Sequence, residues 1–467
     1  MTQSTTPARA AAPTAGIFSA HYLVMTLGTT ALVFLTAFES LAVTTVMPVV
    51  SADLGGRDAY ATAFAATLAA SVLGMVAAGG WADRRGPGRP LLTALAVFCV
   101  GLLAAALAPS MEVFVAARFL QGLGSGGISV TLYVLVALAF PPNLRPAVFG
   151  AFAAAWVLPS LVGPSLAALV AQAFSWHWVF SGVLVLVLVA AAAVLPTLLR
   201  VRPTATTTDR FPRSRFLAAA GVATAVVALS SATSTGGWRW PLAVLALVVL
   251  VVSVRPLLPA GTLTAHRGMP ATVLLRGLLA ATFFSTEVYL PLMLHERFGL
   301  ELWAAGATLT AAAIAWAAAS AVQGRLGARL PHSRAVRTGT VLLLVGVVVQ
   351  AVVAAATPAP LVAVVVSAAG WFCAGAGMGL SFPRTTVLVL EQSAPGQEGA
   401  GSAALTICDA AGGGTAMALT GLAFAAFGAV SAWAGFAGTL PLCVVFAVLA
   451  LLAARRVSGG ASQPVHR

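Results

Sequence analysis

The fold class this sequence predicts is an all-α membrane protein of fourteen transmembrane helices, arranged as two six-helix bundles plus a two-helix central insert. Three observations predict it. The 467-residue chain is 60% hydrophobic and only 8% charged, with a mean hydropathy of +0.98; in soluble globular proteins about a quarter of residues are charged. That balance excludes a soluble globular chain, and it excludes disorder. Apolar runs follow one another at close to the ~20 residues that a bilayer-spanning helix needs. The first six and last six runs also echo each other in glycine spacing and loop pattern.

In chain order the runs fall at 21–50, 58–80, 91–108, 111–138, 146–171 and 177–199, then at 216–235 and 239–258. The second set of six falls at 270–295, 302–324, 336–356, 361–390, 398–427 and 431–455. The chain therefore divides into a tail at 1–20, a first bundle at 21–199, basic linkers with two extra helices at 200–269, a second bundle at 270–455, and a tail at 456–467. The first run is too long for a signal-peptide core of about 7–15 residues, so it is expected to stay in place.

All 25 basic residues are arginine, against 12 acidic ones, for a net charge of +13. They form small clusters between apolar runs with no continuous basic stripe, which argues against a nucleic-acid partner. Without lysine there is no P-loop lysine and no Schiff base. One set of loops carries Arg84, Arg85, Arg89, Arg145, Arg200, Arg202, Arg210, Arg213, Arg215, Arg255, Arg267, Arg325, Arg329, Arg334 and Arg337; the other carries Arg57, Arg239 and Arg297. The positive-inside rule then places both termini in the cytoplasm. The stretches 201–215 and 255–269 are both basic and so share a side, which requires an even number of spans between them. The four cysteines, Cys99, Cys373, Cys408 and Cys443, sit inside apolar runs without metal or disulfide spacing and read as small buried hydrophobes.

Gln121-Gly122-Leu123-Gly124-Ser125-Gly126 in the fourth run matches Ala374-Gly375-Ala376-Gly377-Met378-Gly379 in the twelfth. Gly79, Trp81 and Arg84 after the second match Gly324, Leu326 and Arg329 after the tenth, with Ala328 where Asp83 stands in the first copy. Internal symmetry between two halves marks a transporter built of repeats, with its substrate site at the repeat interface.

Gly79-Gly80-Trp81-Ala82-Asp83-Arg84-Arg85-Gly86-Pro87-Gly88-Arg89 joins the second and third runs. Gly79 allows close helix approach and Gly86 a tight turn, while Asp83 can meet an arginine or a helix N-terminus. The segment resembles the signature loop G-x-L-A-D-R-x-G-R of the major facilitator superfamily, with Trp81 in the Leu place. The resemblance implies the major facilitator fold over essentially the whole chain. It implies a cytoplasmic latch at Gly79, Asp83, Arg84, Gly86 and Arg89, set near the start of the thirteenth helix.

Phe38-Glu39-Ser40-Leu41-Ala42-Val43-Thr44-Thr45-Val46-Met47-Pro48 resembles the L-D-x-T-x-V-N-x-A-L-P segment of the fourteen-helix drug:proton antiporter branch, with Glu39 in the Asp place. Arg118-Phe119-Leu120-Gln121-Gly122-Leu123-Gly124 resembles the R-x-x-Q-G-x-G motif of proton-coupled members. Intramembrane charges are costly and face the protein interior. Glu39 lies about 16 Å from the outer end of its run and Arg118 about 11 Å, similar depths at 1.5 Å per residue. Arg118 needs a partner, and Glu39 is the nominee. Burial penalises a charged carboxylate and a guanidinium favours it, so such a pair is a proton switch or a structural ion pair. Glu287 and Asp409 are also deep, each able to carry a proton, meet a cationic substrate, or serve as a satisfied core acid.

The fifth run carries Gly163-Pro164 of the antiporter motif G-x-x-x-G-P-x-x-G-G, with Pro159, Ala167 and Ala168 at the other glycine positions; Gly122, Gly124, Gly163 and Pro164 are the expected packing and kink residues. Trp176-His177-Trp178-Val179-Phe180 resembles the W-R-W-x-F start of the sixth helix in that branch, and fits an aromatic belt equally. Ser129 and Ser381 sit in G-x-S-x patterns, but His21, His177, His266, His295, His332 and His466 lie at span ends, in loops or in a tail, too far to serve as a base. No enzyme, metal site or cofactor is expected. Together these features imply a monomeric cell (inner) membrane carrier that exports small amphipathic drugs or natural products in exchange for protons, the alternative being a metabolite uptake symporter or facilitator. Phe34, Phe38, Trp156, Trp316, Trp371 and Phe372 would supply an apolar wall.

Overall fold

The computed structural model describes residues 16–19, 22–141, 144–198, 213–232, 236–326, 329–356, 358–393, 398–428, 430 and 432–457. Fourteen of its helices are long and apolar enough to cross a membrane. The first six are α1 (Leu23–Asp53), α2 (Tyr60–Arg85), α3 (Gly88–Ala106), α4 (Met111–Ala139), α5 (Arg145–Ala173) and α6 (His177–Leu198). The insert is α7 (Arg213–Ser231) and α8 (Arg239–Val254). The second six are α9 (Met269–Phe298), α10 (Leu302–Leu326), α11 (His332–Ala355), α12 (Pro360–Gln392), α13 (Glu398–Gly428) and α14 (Ala432–Ala454). Ala328, residues 1–15 and 20 of the first tail and residues 458–467 of the last lie outside the described residues.

Helix ends follow local chemistry. Ser110 caps α4 by accepting from the Val113 amide. Gly86, at φ 76°, ends α2, and Gly299, at φ 66°, ends α9, both in the left-handed region open to glycine. Pro270 and Pro360 sit in first turns, where the missing N–H leaves no bond unmade.

The two glycine runs do the same work in each half. A Cβ on Gly122 or Gly126 would lie 2.1 Å from the carbonyl oxygens of Thr67 or Ser71 on α2, and one on Gly124 would strike Phe98 on α3. In the second half, Gly375 and Gly379 face Ala312 and Trp316 on α10, while Gly377 faces Gly339 and Leu343 on α11. The two-residue spacing thus alternates between two neighbours of one helix, letting backbones close to contact. The wider packing repeats as well: α1 lies on α5 as α9 lies on α13, and α2 on α4 as α10 on α12. Between halves, α2 packs against α13 and α5 against α10, a pseudo-twofold pair of seams, with α7 laid over α2 and α13.

Bonds and ring contacts joining the halves gather at the end where α1 meets α2. There Arg57 pairs with Glu296, the Tyr60 hydroxyl donates to the Val288 carbonyl at 2.9 Å, and the Tyr60 and Tyr289 rings lie 6.1 Å apart. Further in, Thr310 donates to the Leu161 carbonyl at 3.4 Å.

Candidate functional site

Arg118 and Gln121 stand one turn apart on the same face of α4. The Arg118 guanidinium donates to the Glu39 carboxylate of α1 and to the Gln121 side-chain oxygen. Gln121 passes its amide N–H to the Gly101 carbonyl of α3 at 3.2 Å, and the Arg118 carbonyl accepts from Thr67 of α2 at 3.1 Å. The side chains of Arg118 and Glu39 are 3% and 6% exposed, sealed from lipid and water. Every one of these partners belongs to the first six helices, so the pair is a device inside one bundle that ties α1 to α4.

Glu287 of α9 is buried as well. Among the described residues it makes no hydrogen bond or ion pair, so it stands as a buried acid without a local cation.

Asp409 has a partner that the sequence did not suggest. Arg276 of α9 lies with Nε 3.6 Å from the Asp409 Oδ2, the two side chains 12% and 21% exposed. Gly277, next to Arg276, makes the approach: a Cβ there would meet the Cys408 carbonyl at 2.7 Å, and one on Gly412 the Gly277 carbonyl at 2.4 Å. Nη1 of Arg276 reaches the Phe382 carbonyl at 2.9 Å, Thr385 Oγ1 at 3.1 Å and Thr386 Oγ1 at 3.3 Å on α12. The guanidinium carbon lies 3.1 Å from the Phe382 ring centroid, a cation–π stack. The depth arithmetic applied to Glu39 and Arg118 would have found Arg276, seven residues or about 10 Å into its helix.

The remaining expected residues fall as follows. Gly79 faces Val130, a Cβ there lying 3.3 Å from its Cγ1. Asp83 and Arg89 are exposed on either side of the Gly86 turn and Arg84 is half-buried, within electrostatic reach of Asp83. Gly163 lies against the Phe38 ring, and Pro164, inside α5, against Gly306 of α10. Of the aromatic wall, Trp371 is fully buried and stacked on Phe283 at 4.6 Å, so it is core; Trp156 and Phe372 are exposed. Trp316 is half-buried and meets Phe382 edge-on at 5.3 Å. Trp176 is buried rather than interfacial, donating to Asp53 at 2.9 Å and packing on Phe114 and Phe180. Ser129 and Ser381 donate to backbone carbonyls of Ser125 and Val336.

Residues 29–416 match the sequence model of the Major Facilitator Superfamily, and the chain belongs to that family of membrane transporters. It is 28% identical over 397 residues to a "probable multidrug-efflux transporter" of Mycobacterium tuberculosis (strain H37Rv), covering 80% of this chain and 82% of that protein. It is 32% identical over 148 residues to multidrug resistance protein 3 of Bacillus subtilis (strain 168), a match that spans 32% of this chain and only 29% of the relative. Two solved structures share the fold. A POT family transporter in complex with a thioalcohol-conjugated peptide superposes with a TM-score of 0.69 at 14% identity, covering 93% of this chain and 97% of that one. A D-xylose-proton symporter gives 0.66 at 16%, covering 94% and 98%.

Proposed function

We propose that this transporter exports small amphipathic compounds in exchange for protons, by rocking of the 21–199 and 270–455 bundles about a central site. The observation that carries the reading is the sealed Glu39–Arg118 pair, an intramembrane acid and base locked together between α1 and α4. Ion pairs of this kind inside a membrane mark proton relays and substrate paths. Glu287 offers a second proton position on the other bundle, and the names of the relatives support drug-like cargo. In this reading the chain is a monomer in the cell membrane with both termini cytoplasmic. The arginine-rich α2–α3 loop, with Gly79, Asp83, Arg84, Gly86 and Arg89, then serves as the cytoplasmic latch, and the end sealed by Arg57 and Glu296 faces outward.

The test uses everted membrane vesicles acidified by respiration. Addition of an exported compound should release luminal protons, and Glu39→Gln should abolish the release while the protein remains in the membrane. Substrate accumulation by intact cells, with no proton release from vesicles, would instead establish the uptake reading. The replacement of three motif glycines in α5 by Pro159, Ala167 and Ala168 favours that alternative.

A further inference from the structure

We infer that Arg276 anchors an organic acid, so that the substrates of this transporter are amphipathic carboxylates rather than lipophilic cations; this rests on the transport reading above. Nη1 is spent on oxygens of α12. Nε has no hydrogen-bond acceptor, because 3.6 Å to Asp409 exceeds hydrogen-bond length. Nη2 donates to nothing among the described residues. Arg276 is therefore held by α12 and by the Phe382 ring, with Nε buried toward Asp409 and Nη2 left to make a charge-assisted hydrogen bond to a carboxylate.

The surroundings suit the rest of such a molecule. Tyr133 of α4 is exposed and lies within electrostatic reach of Arg276 from the opposite bundle. Its ring stacks on Phe149 at 5.2 Å and meets Phe152 edge-on at 6.2 Å. An aromatic body can lie against this cluster while the Tyr133 hydroxyl and Nη2 both donate to the acid group. A cation gains less. Asp409 is already countered by Arg276, so an ammonium placed here is also repelled by that guanidinium.

Binding of three matched probes to the purified full-length protein in detergent, by calorimetry, tests this. The probes are 1-naphthylacetate, 1-naphthylacetamide and 1-naphthylmethylammonium. Wild type should bind the carboxylate about tenfold or more tighter than the other two, the scale of charge-assisted hydrogen bonds. Arg276→Gln should reduce it to the amide's level. Asp409→Asn, which removes the neighbouring negative charge and leaves the guanidinium, should tighten the carboxylate and leave the amide unchanged. Four outcomes would overturn the inference: no saturable carboxylate binding by wild type, a preference for the ammonium, a carboxylate preference that survives Arg276→Gln, or indifference to Asp409→Asn. Binding in detergent involves no gradient, so carboxylate selectivity without proton release in vesicles would sink the export reading and spare this one.

Discussion

The two intramembrane ion pairs of this transporter differ in how closely the charges meet and how deeply they are buried, although both guanidiniums donate through Nη1 and leave Nε without an acceptor. In the first bundle Arg118 gives itself to Glu39 and Gln121, behind a wall that leaves it 3% exposed. In the second, Arg276 is tied to the backbone and hydroxyls of α12, stands off Asp409 by 3.6 Å, and keeps four times the exposure, 12%. A sealed pair can change only when the helices that bury it separate, which suits a coupling element. A looser and more exposed pair can change when a ligand arrives. The packing scaffold around both is the same glycine device, so the division of labour lies in the side chains.

Breaking the sealed pair should have the largest effect. Arg118→Gln leaves the Glu39 carboxylate buried without its counter-charge, at a cost of about 3–5 kcal/mol. The detergent-solubilised variant should melt far earlier than wild type and transport nothing. The double variant Glu39→Gln/Arg118→Gln removes both charges and should recover most of the thermal stability while staying inactive. Recovery of gradient-driven transport along with stability would make the pair structural only.

The shared scaffold comes next. Gly122→Val and Gly375→Val each push two methyl groups into a carbonyl of the adjacent helix, α2 or α10. Overpacking of this kind costs about 1–3 kcal/mol. Melting curves should show equal losses at the two sites, because the halves use the spacing identically. A twofold difference in that loss would show that one bundle tolerates separation of its helices better than the other.

Much of this was legible from the chain, for a definite reason. The fourteen helices announced themselves by apolar length, which hydrocarbon thickness enforces, and the glycine runs by a spacing that serves two neighbours at once. Glu39 and Arg118 could be matched because each was costly in place and their depths agreed. Arg276 escaped because it lies near the basic linker at 255–269, where an arginine reads as a loop charge, while Asp409 was left alone near mid-membrane. Which helix adjoins which is set by tertiary packing that spacing does not encode. The Arg57–Glu296 pair, formed between bundles by residues 239 positions apart, was hidden for the same reason.

Glu287 sharpens the comparison from the side of an acid with no base. Glu287→Gln keeps the size of the side chain and loses no ion pair, so the melting temperature should move little, within about 1 kcal/mol. Proton release from everted vesicles should fall sharply if Glu287 shares the coupling with Glu39. Unchanged release would assign the coupling to the sealed pair alone.

The smallest effect is expected at the Arg57–Glu296 pair, which is the exposed extreme of the same series. Arg57 and Glu296 are 45% and 29% exposed, and an ion pair so wetted is worth about 0.2–1 kcal/mol. Glu296→Gln should leave the fold intact and shift the balance toward the state in which this end is open. Ala61, packed against Gly421 just inside the pair, reports that state. With Ala61→Cys in a background lacking the four native cysteines, a membrane-impermeant maleimide should label the Glu296→Gln variant up to about fivefold faster, the factor that 1 kcal/mol allows. Added salt should speed labelling of the protein with Glu296 intact and leave the variant unaffected, since only a screened charge pair responds to ionic strength. Equal labelling of both would place the closure of this end in the Tyr60–Val288 and Tyr60–Tyr289 contacts instead, and would leave these two charges as ornaments of the surface.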